Sequence, residues 1–199
     1  PFQTIALDIN FEIPDYHNSL ITPAGDIYLT GGQDAKNAGQ KYNNVYVVSF
    51  ENNTLIPKAS MLYRRDSHAL CYYNGCLYAL GGITVDANGK KNVTNKCEKY
   101  IIAEDRWEEI AELTLPVCNH SASLFQDKYI FCFGGRLQPN KLSNNIFRYN
   151  LEKNTWLRLE LKPSLQTQAR LSLTSQAASF QINDKQIFVF GGYQANRNI

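Results

Sequence analysis

Four glycine doublets divide this chain. Gly31-Gly32, Gly81-Gly82, Gly134-Gly135 and Gly191-Gly192 each close an apolar run of β-type residues, namely 26–30, 76–80, 129–133 and 186–190. Successive doublets stand 50, 53 and 57 residues apart. Self-similarity at such a period means one supersecondary unit repeated along the chain, each copy burying its apolar faces on its neighbours. Most folds are excluded by that period alone.

The second unit shows what is repeated. Residues 67–73 read as a strand, and Asn74-Gly75 is a strong signal for a tight hairpin, because a type I′ turn needs positive φ at both positions. Residues 76–80 return antiparallel, with Leu77 and Ala79 on one face and Tyr78 and Leu80 on the other. A strand apolar on both faces belongs in a sheet sandwiched between other sheets. A polar loop follows to Asn95, then a third strand at 96–101, a turn at Glu104-Asp105 and a fourth strand at 106–111. The outer strands recur at 44–49 with 54–59, and at 145–150 with 155–161. First strands are rich in small residues (Ser19, Ser67, Ala69, Ser121 to Ser123, Ala177 to Ser179), as crowding round a common axis requires. Sheets stacked round such an axis form a β-propeller. Trp107 and Trp156 share one outer-strand slot, filled by Leu55 in the first unit, and are read as seals between blades.

The order Arg65-x-x-His68-Ala69, Leu77-Tyr78-Ala79-Leu80-Gly81-Gly82, Tyr100, Trp107 resembles the kelch motif. It returns as His120, Ile130-Phe131-Cys132-Phe133-Gly134-Gly135, Tyr149 and Trp156. The chain departs from the motif at Leu55, at Ala177 in the His slot, and in about eight extra residues before the fourth unit. The resemblance implies an all-β kelch-type propeller of four-stranded antiparallel blades. On that reading 14–60, 65–112 and 117–161 are blades, 174–199 is a truncated blade, and 1–10 is the outer strand of a preceding or closing blade. Because the resemblance implies about six blades, the ring in this chain is read as incomplete, one part of a larger propeller.

Little in the chain points to catalysis. No G-x-S-x-G, G-x-x-x-x-G-K or H-E-x-x-H occurs. Glu108-Glu109 lie on an outer strand, where a solvated edge explains them better than an acid–base pair. His17, His68 and His120 share one slot before the first strand, either as a metal site at the channel mouth or as a structural feature bonding nearby backbone. Equivalent atoms on adjacent sheets stand roughly 10 Å apart, too far for shared ligation at about 2 Å, so the structural reading is preferred and neither metal nor cofactor is expected. The five cysteines are odd in number, show no C-x-x-C pair, and read as reduced, buried thiols of a cytoplasmic protein. Mean hydropathy is -0.36 with no apolar run near twenty residues, so no membrane partner is expected. A net charge of +2 likewise does not call for nucleic acid.

Charge placement is more informative. In a propeller, the loop after each second strand and the segment leading into the next blade emerge on one face. Those segments carry Lys36, Lys41, Lys58, Arg64, Arg65, Lys90, Lys91, Arg136, Lys141, Lys162, Arg170 and Arg197, against the acids Asp15, Asp34, Asp66 and Asp86 alone. Twelve of twenty cations but only four of eighteen acids share one face, so the molecule is expected to be dipolar. Lys36, Lys41, Arg64, Arg65, Lys90, Lys91, Arg136 and Lys141 are its candidate partner-binding residues. The expected function is a non-catalytic scaffold that docks proteins of acidic surface, besides the remaining blades of its own propeller. The kelch resemblance implies cytoskeletal partners or ubiquitin-ligase substrates, with an enzyme of the galactose-oxidase or sialate-mutarotase kind as the alternative.

Overall fold

Short β-branched and aromatic runs, each ended by Gly, Asn or Asp, leave little sequence for helix. The computed structural model describes residues 12–34, 36, 40–138, 140–159 and 175–193, and among these it contains strands and one 3-10 turn but no α-helix. Strands β1 (Asn18–Ile21), β2 (Ile27–Thr30), β3 (Val45–Ser49) and β4 (Thr54–Lys58) form the first antiparallel sheet. β5 (Ala69–Tyr73) and β6 (Cys76–Leu80) begin the second, and a small ribbon of β7 (Ile83–Val85) and β8 (Lys91–Val93) precedes its outer strands β9 (Cys97–Ile101) and β10 (Arg106–Ile110). The third repeats this plan with β11 (Ser121–Phe125), β12 (Tyr129–Phe133), the ribbon β13 (Arg136–Gln138) and β14 (Lys141–Leu142), then β15 (Ile146–Asn150) and β16 (Thr155–Leu159). β17 (Ser175–Asn183) and β18 (Gln186–Tyr193) form a two-stranded sheet. The expected outer strand at 1–10 lies outside the described residues.

Strands β1, β5, β11 and β17 are the inner edges of their sheets, and consecutive ones lie side by side. This is a kelch-type propeller arrangement. The tight turn at Asn74-Gly75 has φ of 45° and 73°, and it pairs Tyr73 with Cys76 and Cys71 with Tyr78. Both faces of β6 are buried: Leu77 and Ala79 pack with Tyr28, Met61 and Tyr100 towards the first sheet, while Tyr78 and Leu80 pack with Cys132, Phe147 and Tyr149 towards the third. Two expectations are corrected. Ser67 stands before the strand in a left-handed conformation (φ 54°), and the polar loops after Gly82 and Gly135 are hydrogen-bonded ribbons. Residues 83–93 form one because Asp86 accepts the backbone N–H groups of Asn88 and Lys90, closing the tip so that Ile83 pairs with Val93.

The doublets are where one blade meets the next. Gly81 has φ 60°, and a Cβ there would lie 2.3 Å from Val117 O; at Gly31 it would lie 2.4 Å from Arg65 O. The second glycine of the first two pairs bonds the segment leading into the next blade, Gly32 N–H donating to Arg65 O and Gly82 N–H to Val117 O, both at 2.9 Å. Neither contact tolerates a side chain.

At the outer rim a second device recurs. Trp107 Nε1–H donates to Ala59 O at 2.9 Å, while Asp105 accepts Ala59 N–H at 2.8 Å and the Tyr100 hydroxyl at 2.6 Å. Trp156, Asn154, Tyr149 and Ala111 repeat all three bonds one blade later, at 2.8, 2.8 and 2.7 Å. Asp105 and Asn154 take left-handed φ of 47° and 50°, which suits these residue types. The structural register starts from Asn43, Asn95 and Asn144, each twelve residues before Leu55, Trp107 or Trp156. Asn43 and Asn95 donate their side-chain amides to Met61 O and Leu113 O, tying the top of each outer sheet to the connecting segment.

Candidate partner-binding face

The face that carries the ribbons also holds the segments leading into the inner strands. Tyr16, Ser67, Asn119 and Gln176 all take left-handed backbone, with φ between 53° and 61°. Three hydrogen bonds link them from blade to blade: Ser67 N–H to Tyr16 O, Asn119 N–H to Ser67 O, and Gln176 N–H to Asn119 O, at 3.1, 2.9 and 2.7 Å. They border a polar depression of about 220 Å³.

The histidine slot follows one residue later. His17 Nδ1 bonds Pro14 O at 2.8 Å, a backbone partner. His68 bonds a side chain of the previous blade, Thr30 Oγ1, at 2.8 Å. Leu80 holds the position equivalent to Thr30, and neither ring nitrogen of buried His120 has a partner among the described residues. The expected backbone bonding therefore holds only for His17. Among the described residues no three His, Cys, Asp or Glu side chains cluster in a way that would hold a metal. Burial drives the His120 pKa down to about 3, and burial followed by the nearby Arg65 charge takes that of His68 well below normal.

A pH prediction follows. Since the folded state keeps His120 neutral while the unfolded chain protonates it near pH 6.5, stability falls as pH drops through that value, until the folded pKa is reached near 3. At pH 5 the loss from His120 is about 2 kcal/mol. Urea unfolding of wild type and His120→Asn between pH 7 and pH 5 checks this: the variant should lose about one proton of pH dependence. Parallel curves would show that His120 is not buried neutral.

The candidate cations divide into two groups. Arg64, Lys90, Lys91 and Lys141 are exposed, on the connecting segment and the two ribbons. Lys36 is exposed but paired with Glu12 at 3.3 Å, and Arg136 is half-buried in β13. Lys41 and Arg65 do not belong to the face. Lys41 is 4% exposed, in an ion pair with buried Asp66, and donates to Gln33 Oε1 at 2.6 Å. Arg65 is fully buried: its guanidinium meets Glu98 Oε1 at 2.9 Å and donates to Gly81 O and Lys96 O at 2.7 and 2.8 Å. Both cations have loop positions in the sequence, yet their side chains turn into the seam between the first two sheets. Lys162, Arg170 and Arg197 lie outside the described residues. Lys96, not among the candidates, pairs with Glu112 at 2.5 Å.

Sequence reasoning missed both buried pairs. One signal was available: Glu98 shares its strand face with the core residue Tyr100, and its counterpart in the third unit is Phe147. A carboxylate at a core position needs a cation. Burial pushes the Glu98 carboxyl up and the Arg65 guanidinium down, and each partner's charge opposes the shift of the other. The five cysteines are unbridged, and burial raises the thiols of Cys71 and Cys97 to about 12. No described helix is long and apolar enough to cross a membrane.

Residues 27–199 match the family model of the Attractin/LZTR1 beta-propeller. The chain is similar to Kelch repeat and BTB domain-containing protein 12 of Danio rerio, 26% identical over 184 residues, which is 87% of this chain and 28% of that protein. It is similar to Kelch-like protein 23 of Homo sapiens, 28% identical over 157 residues, 76% of this chain and 27% of that protein. With alpha-scruin of Limulus polyphemus it shares 28% identity over 102 residues, 50% of this chain and 11% of that protein. The chain thus spans less than a third of the length of these relatives.

Proposed function

The chain belongs to the Attractin/LZTR1 β-propeller family, and from that premise we propose that it is a non-catalytic protein-interaction module whose ribbon-bearing face docks partners of acidic surface. Exposed Arg64, Lys90, Lys91 and Lys141, projected by rigid ribbons and a connecting segment on one edge, are the observation that carries this reading. Kelch-repeat relatives support an adaptor role; cytoskeletal assembly and substrate recognition for ubiquitination are the two partner classes that the kelch resemblance implies. Five unbridged thiols support a reducing, cytoplasmic setting.

Charged side chains of this kind act on encounter rate and salt dependence more than on final affinity. A peptide array graded in Asp and Glu content, probed with the protein, should bind more strongly as acidity rises. Reversing Arg64, Lys90, Lys91 and Lys141 should slow association with the best peptide about tenfold and flatten its salt dependence. The same number of reversals on the opposite edge, at Arg106, Lys128, Lys153 and Lys185, should change it less than about twofold. Equal losses from both sets, or binding indifferent to salt, would end the acidic-partner reading.

A further inference from the structure

The two seams between four-stranded sheets share one register but not one chemistry. Arg65 and Val117 are equivalent, their carbonyls accepting Gly32 N–H and Gly82 N–H. Asp66 and Cys118 follow them and bridge Ile83 and Arg136. Gln33 and Ile83 each follow a doublet, and their ladder partners are Lys41 and Val93. Glu98 and Phe147 pair with Ala79 and Cys132 of the neighbouring strand. The first seam therefore holds Gln33, Lys41, Arg65, Asp66 and Glu98 where the second holds Ile83, Val93, Val117, Cys118 and Phe147.

The polar set divides by what each member touches. Arg65 and Glu98 lie together on the second sheet's side, where Arg65 also donates to Gly81 O and Lys96 O. They satisfy one another whichever sheet lies opposite. Lys41 and Asp66 are different. Lys41 belongs to the first sheet's loop, and Asp66 to the segment bridged to the second sheet at Ile83, so theirs is a buried charge pair that crosses the seam. The Thr30–His68 bond crosses as well, but His120 offers the third sheet the same ring, so that bond does not tell the sheets apart.

From this placement we propose that Lys41 and Asp66 select neighbours: they make the second sheet, not the third, the surface on which the first sheet closes. Sheets built on one plan can dock out of order, a failure characteristic of repeat proteins. Docked on the third sheet, Lys41 would meet Cys118 and bury an ammonium without a carboxylate. A second sheet docked on the second sheet of another copy would set Val93 against Asp66 and bury that carboxylate without its cation. Breaking a buried pair costs far more than replacing both members by apolar groups of similar volume. The pair thus contributes little net stability and much discrimination, which is how an interface rejects wrong partners. Asp15 holds the same place before the first sheet, so among the described connectors only the one entering the third sheet lacks an acid there.

The test is to refold an equal mixture of isotope-labelled and unlabelled full chains at high concentration, link exposed lysines, and read the links by mass spectrometry. Mixed-label links report contacts between molecules. A variant with Gln33→Ile, Lys41→Val and Asp66→Cys, which copies the second seam into the first, should melt close to wild type. Its mixed-label links from Lys36 to Lys141 on the third sheet's ribbon should rise about tenfold. Val93→Lys with Cys118→Asp, which gives both seams the same pair, should raise those links too while leaving the first seam intact. In whichever variant folds, links no more frequent than in wild type overturn the proposal. Should neither fold, wild type decides alone: mixed-label Lys36–Lys141 links as frequent as Lys36–Lys90 links overturn it.

Discussion

Replacing Arg65 by Ala is expected to cost about 3–5 kcal/mol of stability and to lower the melting temperature by roughly 10 °C or more. Both partners of the Arg65–Glu98 pair are wholly buried, so truncating one leaves a carboxylate in a dry seam that water cannot reach. Gly81 O and Lys96 O lose their donor in the same step. Only part of the loss is Coulombic. Glu98 remains held by Leu62 N–H at 2.6 Å, but burial then dominates its carboxyl, which takes up a proton more readily than in the unfolded chain. The sign is therefore fixed: the Glu98 contribution to the Arg65→Ala deficit shrinks as pH falls from 7 towards 5. Combining Arg65→Met with Glu98→Leu should recover most of the stability, because apolar replacement of a buried pair is close to neutral. Calorimetry on the single and double variants is the check. A single variant melting within about 1 kcal/mol of wild type would mean that the pair does not organise the seam.

How far the sequence shows this architecture depends on the length over which each signal acts. Hairpins and doublets are local: Asn74-Gly75 specifies its turn within two residues, and Gly81 announces a close approach because no Cβ fits against Val117 O. The four-strand unit was legible for the same reason, its registers set by turns and by alternating apolar faces. The direction of long side chains was not legible. Lys41 and Arg65 stand in loop segments beside exposed cations such as Arg64, and nothing in neighbouring residues shows that they turn inwards. Their partners lie 25 and 33 residues further on, at Asp66 and Glu98. The basic face was accordingly overestimated by its two most buried members. Trp107 and Trp156 were legible as seals, whereas the Asp105 and Asn154 acceptors that complete each clamp were hidden among ordinary turn residues.

Those seals carry the other large expected effect. Trp107→Ala should cost about 3–5 kcal/mol, since a 7%-exposed indole would be replaced by a cavity at the rim of the first seam. The ring lies 5.2 Å from that of Tyr100, whose hydroxyl is fixed on Asp105, so the truncation removes one of the two groups that grip Ala59 and loosens the packing behind the other. Trp107→Phe separates packing from hydrogen bonding: most of the apolar contact stays while Ala59 O loses its donor, for about 1 kcal/mol. Trp156 makes the same bond but is only half-buried, so Trp156→Ala should cost less than Trp107→Ala. Chemical denaturation should rank the three as Trp107→Ala, Trp156→Ala, Trp107→Phe, from largest loss to smallest. If Trp107→Phe were as damaging as Trp107→Ala, the indole N–H rather than ring burial would dominate the clamp. The rim would then be an electrostatic fastening, and Leu55 in the first sheet, which has no donor to offer, would mark a rim position secured by packing alone.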